Sequence, residues 1–130
     1  MSNIKVNKKM SVLILVSLCV IMGVIAQLAM KKGMNMVGVV GLKDIFSEKV
    51  FSIVFQRYVL VGIVLYFLAA MIWLVILSQA ELSFVYPLIS IGYIITAILS
   101  WFLFKENLTL FRVVGILLIC SGVYLIVLKI

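Results

Sequence analysis

The chain has 130 residues, of which 67% are hydrophobic, and it carries a formal net charge of +7 with a mean hydropathy of +1.41. Apolar runs long enough to cross a bilayer occupy most of this length, which excludes an ordinary water-soluble domain. The chain has no histidine, 4 acidic residues and 2 cysteines, and it lacks the glycine-rich and nucleophile motifs of common enzymes, so the sequence predicts no enzyme, no metal site and no cofactor.

Four long apolar runs predict four transmembrane helices, at residues 10–31, 56–78, 82–104 and 110–129. Backbone groups inside lipid have to be hydrogen-bonded within their own segment, and four segments are too few to close a barrel. The connections after the second and third helices are short, so neighbouring helices are expected to lie antiparallel. We therefore predict an all-α integral membrane protein in which residues 1–130 form one domain, an antiparallel four-helix bundle.

The first predicted helix is uncharged from Ser11 to Met30 and follows a lysine-rich segment, as in a signal peptide. It has no convincing cleavage pattern and three further spans follow it, so we interpret it as a retained helix. Ser17, Gln27 and Lys31 lie within about 80° of one another on this helix, which gives it one polar side.

The connection between the first two helices is long, from Lys31 to Arg57. It begins with three glycines and continues with apolar residues among charged ones such as Lys43 and Asp44. Two interpretations stay open. The segment is either a flexible entry followed by a short amphipathic stretch at the membrane surface, or an early start of the second helix.

The second and third helices each carry a polar or aromatic side. On the second helix the residues that share this side are Gly62, Tyr66, Ala69 and Trp73. On the third helix a stripe of about 100° contains Ser83, Tyr86, Ser90, Tyr93, Ala97 and Ser100. Polar groups in lipid tend to face a cavity or another helix, so three such sides can line one chamber, and Pro87 bends the third helix there. Each residue alone also has a structural interpretation, as a backbone-bonded serine or a headgroup-level ring.

The fourth helix carries small residues on one face. Gly115 and Gly122 are seven positions apart, about two helical turns, so both lie on the same side. Small residues allow another helix to approach closely. The face is therefore either a contact with a second subunit or packing within the same bundle.

Positive charge is concentrated at the ends of the predicted helices, where lipid headgroups and membrane topology explain it better than nucleic acid does. Basic residues are somewhat more numerous beside the first and third connections, which favours both termini outside the cytoplasm. This bias is small enough to permit dual insertion.

Residues 71–128 resemble the second half of small-multidrug-resistance-type proteins of the drug/metabolite transporter (EamA-like) superfamily. The stretch Gly115 to Val123 is similar to the fourth-helix dimerisation motif of these proteins, and Leu99, Ser100 and Trp101 resemble the end of their third helix. The first helix resembles the matching segment more loosely. This resemblance implies a multi-pass transporter of the bacterial cytoplasmic (inner) membrane that acts as a homodimer or as a heterodimer with a similar subunit.

One branch of this superfamily resembles the chain more than the others. The drug exporters have a glutamate in the first helix where this chain has Gly23, and a tryptophan in the third helix where it has Ile89. By contrast, Ile72-Trp73-Leu74, Val85-Tyr86-Pro87-Leu88 with Ser90, and Phe104-Lys105-Glu106 resemble the small subunits that flip undecaprenyl-phosphate-linked aminoarabinose. This implies a lipid-linked sugar, or a similar amphipathic substrate, as cargo within the membrane lipids.

The candidate site residues follow from the chamber and from this cargo. Hydroxyl, amide and aromatic groups suit a sugar headgroup, and we assign substrate binding to Gln27, Tyr66, Trp73, Glu81, Tyr86, Ser90 and Tyr93. Glu81 is included because a carboxylate suits the amine of an aminosugar, and its alternative role is to cap the third helix. Cations suit its phosphate, and we assign phosphate binding to Lys31, Lys32 and Arg57, each of which has interfacial anchoring as its alternative. We assign the dimer interface to Gly115 and Gly122.

Two other functions remain alternatives. An exporter of small organic cations would need an essential carboxylate, for which Glu81 is the only plausible candidate. A membrane subunit that stabilises a partner and moves nothing would tolerate alanine in the polar stripe but not changes in the glycine face.

Overall fold

The computed structural model describes residues 2–128, with side chains from residue 9 onward except residue 127. The helices are α1 (Ser2–Val37), α2 (Leu42–Ile45), α3 (Lys49–Val54), α4 (Arg57–Gln79), α5 (Leu82–Phe104) and α6 (Leu110–Leu128). The described residues contain no strand, so the all-α prediction is confirmed. The last residue of the fourth predicted helix, at position 129, and the two ends of the predicted domain lie outside the described residues.

Within the part of the chain that the structure describes, three helices are long and apolar enough to cross a membrane, over Lys9–Val37, Arg57–Gln79 and Leu82–Phe104. A shorter apolar helix covers Leu110–Ile126. Large apolar side chains point outward along all four, and Phe102, for example, is 73% exposed. A continuous outer surface of this kind suits lipid and not water.

The first helix continues about two turns beyond its predicted end. It stops at Gly38, whose φ of +93° is a left-handed conformation that glycine adopts readily, and whose N–H donates to the carbonyl of Met34 at 2.9 Å. The extension packs on α4, because Gly33 is buried against Gln56 and Val59. The sequence prediction ended the helix at the lysine pair and overlooked this contact.

The long connection contains two short helices, α2 and α3, which are separate from α4. The early start of the second helix was therefore the wrong interpretation. The helix begins at Arg57 because the Gln56 side chain caps it, accepting from the N–H groups of Tyr58 at 2.8 Å and Val59 at 2.9 Å. Apolar side chains of the connection are exposed, Phe46 by 93%, and their position at a membrane surface stays a prediction.

The core lies between α1, α4 and α5. One face of α1 contributes valines at every fourth position, which pack with Ile76 of α4 and with Val85 and Leu88 of α5. These valines are Val12, Val16, Val20 and Val24. The α1–α4 crossing is close at Gly62, where an added Cβ would lie 2.8 Å from the Ala26 carbonyl oxygen and would overlap the Met30 side chain.

The fourth long helix occupies the edge of the structure. α6 packs mainly against α5, and none of its described side chains is buried. Phe111 at its start is 88% exposed.

Candidate functional site

An open cleft of about 320 Å³ lies between α1, α4 and α5. Five of the seven predicted substrate-binding residues line it: Gln27, Tyr66, Trp73, Tyr86 and Tyr93. Each of the three helices contributes at least one of them, so the structure brings the three predicted polar or aromatic sides to one place. Most of the remaining lining is small or apolar.

Small residues create the space in this cleft. On α1 nothing lies within 4 Å of the position that a Cβ on Gly23 would take. On α5 an added Cβ at Gly92 would meet Val20 at 3.3 Å and Val24 at 3.7 Å, so this glycine holds α5 against α1 at the base of the cleft. Opposite, the Cys19 thiol donates to the Ala69 carbonyl at 3.3 Å.

Aromatic rings form one end of the cleft. Trp73 and Tyr86 meet edge to face, with ring centroids 6.4 Å apart and planes at 65°, a favourable arrangement for two aromatic side chains. The Tyr86 side chain is 61% exposed, so part of its surface is free to contact a ligand. Ring faces of this kind stack on the apolar face of a sugar.

Polar groups form the other end. Gln27 and Tyr93 lie there together with Thr96, which the sequence analysis did not select. The Thr96 Oγ1 is buried and has no hydrogen-bond partner among the described residues. The signal that could have identified it was a threonine one turn after a glycine, beside the polar stripe of α5.

Ser90 and Glu81, the other two predicted substrate-binding residues, do not line this cleft. The face of α5 that lines it is turned by about 60° from the predicted stripe, toward Ile89 and Thr96, so Ser90 falls beyond its edge. Glu81 is an exposed residue that precedes α5 and makes no side-chain capping bond. The prediction centred the stripe on its hydroxyl groups, whereas packing against α1 through Gly92 sets the rotation of the helix.

The three predicted phosphate-binding cations separate into two places. Lys31 forms an ion pair with Glu106, Nζ to Oε1 at 3.1 Å, which links α1 to the segment between α5 and α6. Lys32 and Arg57 lie together on Tyr58, with Nζ 4.5 Å and Cζ 4.8 Å from its ring centroid. Lys32 and Arg57 therefore form a paired cationic position beside the start of α4.

A second cleft, of about 370 Å³, lies between α5 and α6. Tyr93, Ala97 and Ser100 of the predicted stripe line it, opposite Gly115 and Ile116. The stripe thus lies at the border between two clefts, and Tyr93 contributes to both. An added Cβ at Gly115 or Gly122 would have nothing within 4 Å, so no described residue fills the small-residue face of α6.

Comparison with known proteins identifies a family for most of the chain. The model of the EamA-like transporter family matches residues 5–128. A probable 4-amino-4-deoxy-L-arabinose-phosphoundecaprenol flippase subunit ArnF of Proteus mirabilis (strain HI4320) is 34% identical over 114 residues, which cover 78% of this chain and 80% of that protein. The protein of the same name in Yersinia enterocolitica serotype O:8 / biotype 1B is 32% identical over 112 residues, covering 82% and 86%.

A probable flippase subunit ArnE of Pseudomonas fluorescens (strain Pf0-1) is 32% identical over a shorter stretch of 56 residues, 43% of this chain and 49% of that protein. No solved structure matches the chain. The matches confirm the resemblance to aminoarabinose-phosphoundecaprenol flippase subunits.

Proposed function

This chain belongs to the EamA-like transporter family and is a multi-pass membrane transporter subunit, and we propose that it moves a polyprenyl-phosphate-linked sugar between the leaflets of the bacterial inner membrane. The relatives described above are named as flippase subunits for such a lipid. The observation that carries the proposal for this chain is the composition of the cleft between α1, α4 and α5.

The cleft offers a sugar two kinds of contact. The Trp73–Tyr86 pair provides ring faces, and Gln27, Tyr93 and Thr96 provide amide and hydroxyl groups at the opposite end. None of the described lining residues is a carboxylate. An exporter of small organic cations requires one, and Glu81, its only candidate, lies outside the cleft, so the cleft favours the sugar.

The cleft is open, which suits a cargo with a lipid tail. A polyprenyl chain can stay among the lipid acyl chains while only the headgroup enters the protein. We assign phosphate binding to Lys32 and Arg57, whose cationic groups lie on the Tyr58 ring and can form charge-assisted hydrogen bonds with the phosphate. Lys31 contributes to this less directly, since its charge is already paired with Glu106.

We propose that the working unit is a dimer, with an identical copy or with a similar subunit. The unfilled glycine face of α6 is available for a helix of the second subunit. Rocking of the two subunits around the clefts would then open the cargo site to one leaflet at a time.

The test is transfer of labelled aminoarabinose-phosphoundecaprenol between the leaflets of liposomes that contain the purified protein, alone and together with a similar subunit. We expect transfer well above that of empty liposomes, and at least about tenfold slower transfer with Trp73→Ala, which removes a stacking surface. Trp101→Ala is the matched control, because Trp101 is exposed on α5 outside the cleft.

Transfer at the empty-liposome rate in both preparations would contradict the proposal and favour an accessory subunit. Proton-dependent uptake of an organic cation, without lipid transfer, would favour the exporter.

A further inference from the structure

One hydroxyl group in the cleft is buried without a hydrogen bond. Thr96 Oγ1 has no partner among the described residues, although it is almost completely shielded from the surroundings. A buried hydroxyl that lacks a partner destabilises the protein, because it has lost its hydrogen bonds to water without replacing them. A group of this kind needs an explanation, because buried polar atoms in proteins are nearly always paired.

Two other hydroxyl groups in the apolar helices bond to carbonyls of their own helix. Ser78 donates to the carbonyl of Val75 at 2.7 Å, and Ser121 donates to that of Leu117 at 2.7 Å. This local bond, to a carbonyl three or four residues earlier, is the usual arrangement for serine and threonine in apolar helices. Thr96 departs from it although its own helix offers the same carbonyl acceptors.

The position of Thr96 suggests what its partner is. Thr96 lines the polar end of the cleft with Gln27 and Tyr93. It lies one turn beyond Gly92, where α5 packs against Val20 and Val24 of α1, and these apolar side chains offer the hydroxyl no partner. Because Thr96 lines the cleft, rotation about χ1, which exchanges the hydroxyl with the other groups on Cβ between staggered positions, can bring the hydroxyl to the cleft.

We propose that Thr96 is a specificity-determining residue that hydrogen-bonds a hydroxyl group of the cargo headgroup. The inference rests on the proposed function and narrows its cargo to a polyhydroxylated headgroup. A threonine hydroxyl donates one hydrogen bond and accepts others, as a sugar hydroxyl does, whereas a quaternary ammonium ion offers neither a donor nor an acceptor. The hydrogen bond forms only when cargo is bound. The unpaired hydroxyl therefore destabilises the empty protein, and cargo binding removes this destabilisation.

The test compares two variants of Thr96 in the full chain. Thr96→Val keeps the shape and removes the hydroxyl, and Thr96→Ser keeps the hydroxyl. We expect Thr96→Val to transfer aminoarabinose-phosphoundecaprenol about tenfold more slowly at low cargo concentration, as the loss of one hydrogen bond predicts, and Thr96→Ser to stay within about twofold to threefold of the unmodified protein. With sugar-free undecaprenyl phosphate, all three proteins should transfer at the same rate.

The thermal unfolding midpoint of the empty protein in detergent separates this role from a structural one. Because Thr96→Val removes a buried hydroxyl that has no partner, its midpoint should equal or exceed that of the unmodified protein. A lower midpoint that Thr96→Ser restores would reveal a structural hydrogen bond and overturn the inference.

Equal transfer by Thr96→Val and the unmodified protein would overturn the inference and leave the proposed function standing. Absence of transfer by the unmodified protein, both alone and together with a similar subunit, would overturn both.

Discussion

The two sides of α5 differ in how fully other helices cover them. On one side α5 joins α1 and α4 in a core whose buried residues come from all three helices, and Gly62 and Gly92 there are closely surrounded, whereas Gly23 opens into the cleft. On the other side α6 has no buried described side chain, and its glycines face open space. The first side forms within one chain, whereas the second leaves a surface that another helix can fill. Gly62 and Gly92 therefore allow helices to pack closely within the chain, whereas Gly115 and Gly122 leave space that a second helix can occupy.

The largest expected effect is on the crowded side. Gly62→Ala places a Cβ 2.8 Å from the Ala26 carbonyl oxygen and against Met30, and because backbone cannot move aside as a flexible side chain can, we expect a loss of about 1–3 kcal/mol in the free energy of unfolding. The measurement is the thermal unfolding midpoint in detergent. Gly23→Ala is the control, since nothing lies within 4 Å of its added Cβ. Equal midpoints for the two variants would contradict the proposed difference in crowding.

The open side should respond in the opposite way. Gly115→Leu together with Gly122→Leu leaves the unfolding midpoint unchanged, because no described atom lies within 4 Å of either added Cβ. The variant should weaken association by about tenfold or more, since bulky side chains keep a second helix away. Energy transfer between labelled chains in liposomes measures this. Unchanged association would show that α6 does not form the interface.

A smaller effect is expected where the two regions meet. The Lys31–Glu106 ion pair joins α1 to the start of the α6 side at 3.1 Å, but its side chains are 49% and 39% exposed. Solvent screening limits such a pair to about 0.2–1 kcal/mol. A double-mutant cycle of Lys31→Met and Glu106→Gln, measured by unfolding, should give a coupling in this range. A coupling free energy several times larger would contradict this estimate and show that the ion pair contributes strongly to the packing between the two regions.

The smallest effect concerns the connection outside both regions. The Gly41 N–H donates to the Asp44 carboxylate at 2.9 Å, and this hydrogen bond and the Lys49 ammonium hold the pKa of Asp44 below its usual range. The stabilisation is therefore fully present above the pKa of an unfolded aspartate, about 3.9, and is lost as the pH falls through the lower folded pKa. The NMR shift of the Gly41 amide proton should titrate with a midpoint below about 3.9; a midpoint above that value would contradict the contact.

The sequence predicts most of the helices because lipid imposes a simple rule on charge and length. The uncharged runs correspond closely to α4 and α5, since a charged residue ends a membrane span at a definite place. The end of α1 could not be read in this way. It depends on Gly33 meeting Val59 of another helix, a tertiary contact that no local pattern encodes.

Helical periodicity predicts which residues share one face of a helix, but it does not predict which way that face turns in the folded protein. Periodicity grouped Tyr86 and Tyr93, and both line the cleft. The close packing at Gly92 turns α5 so that Ser90 lies outside the cleft and Thr96 lies inside it. The sequence shows that Lys31 and Lys32 lie together at the end of the first apolar run. It does not show that Lys31 pairs with Glu106 while Lys32 lies on the Tyr58 ring, because both contacts depend on tertiary structure.

The most direct test of the account fills the cleft without disturbing the fold. Gly23 lines the cleft and has open space around its missing Cβ, so Gly23→Leu should occupy the cargo site while the thermal unfolding midpoint stays that of the unmodified protein. In liposomes this variant should transfer aminoarabinose-phosphoundecaprenol at the empty-liposome rate, with Gly23→Ala retaining most of the activity. Full transfer by a folded Gly23→Leu protein would contradict the claim that cargo passes through this cleft.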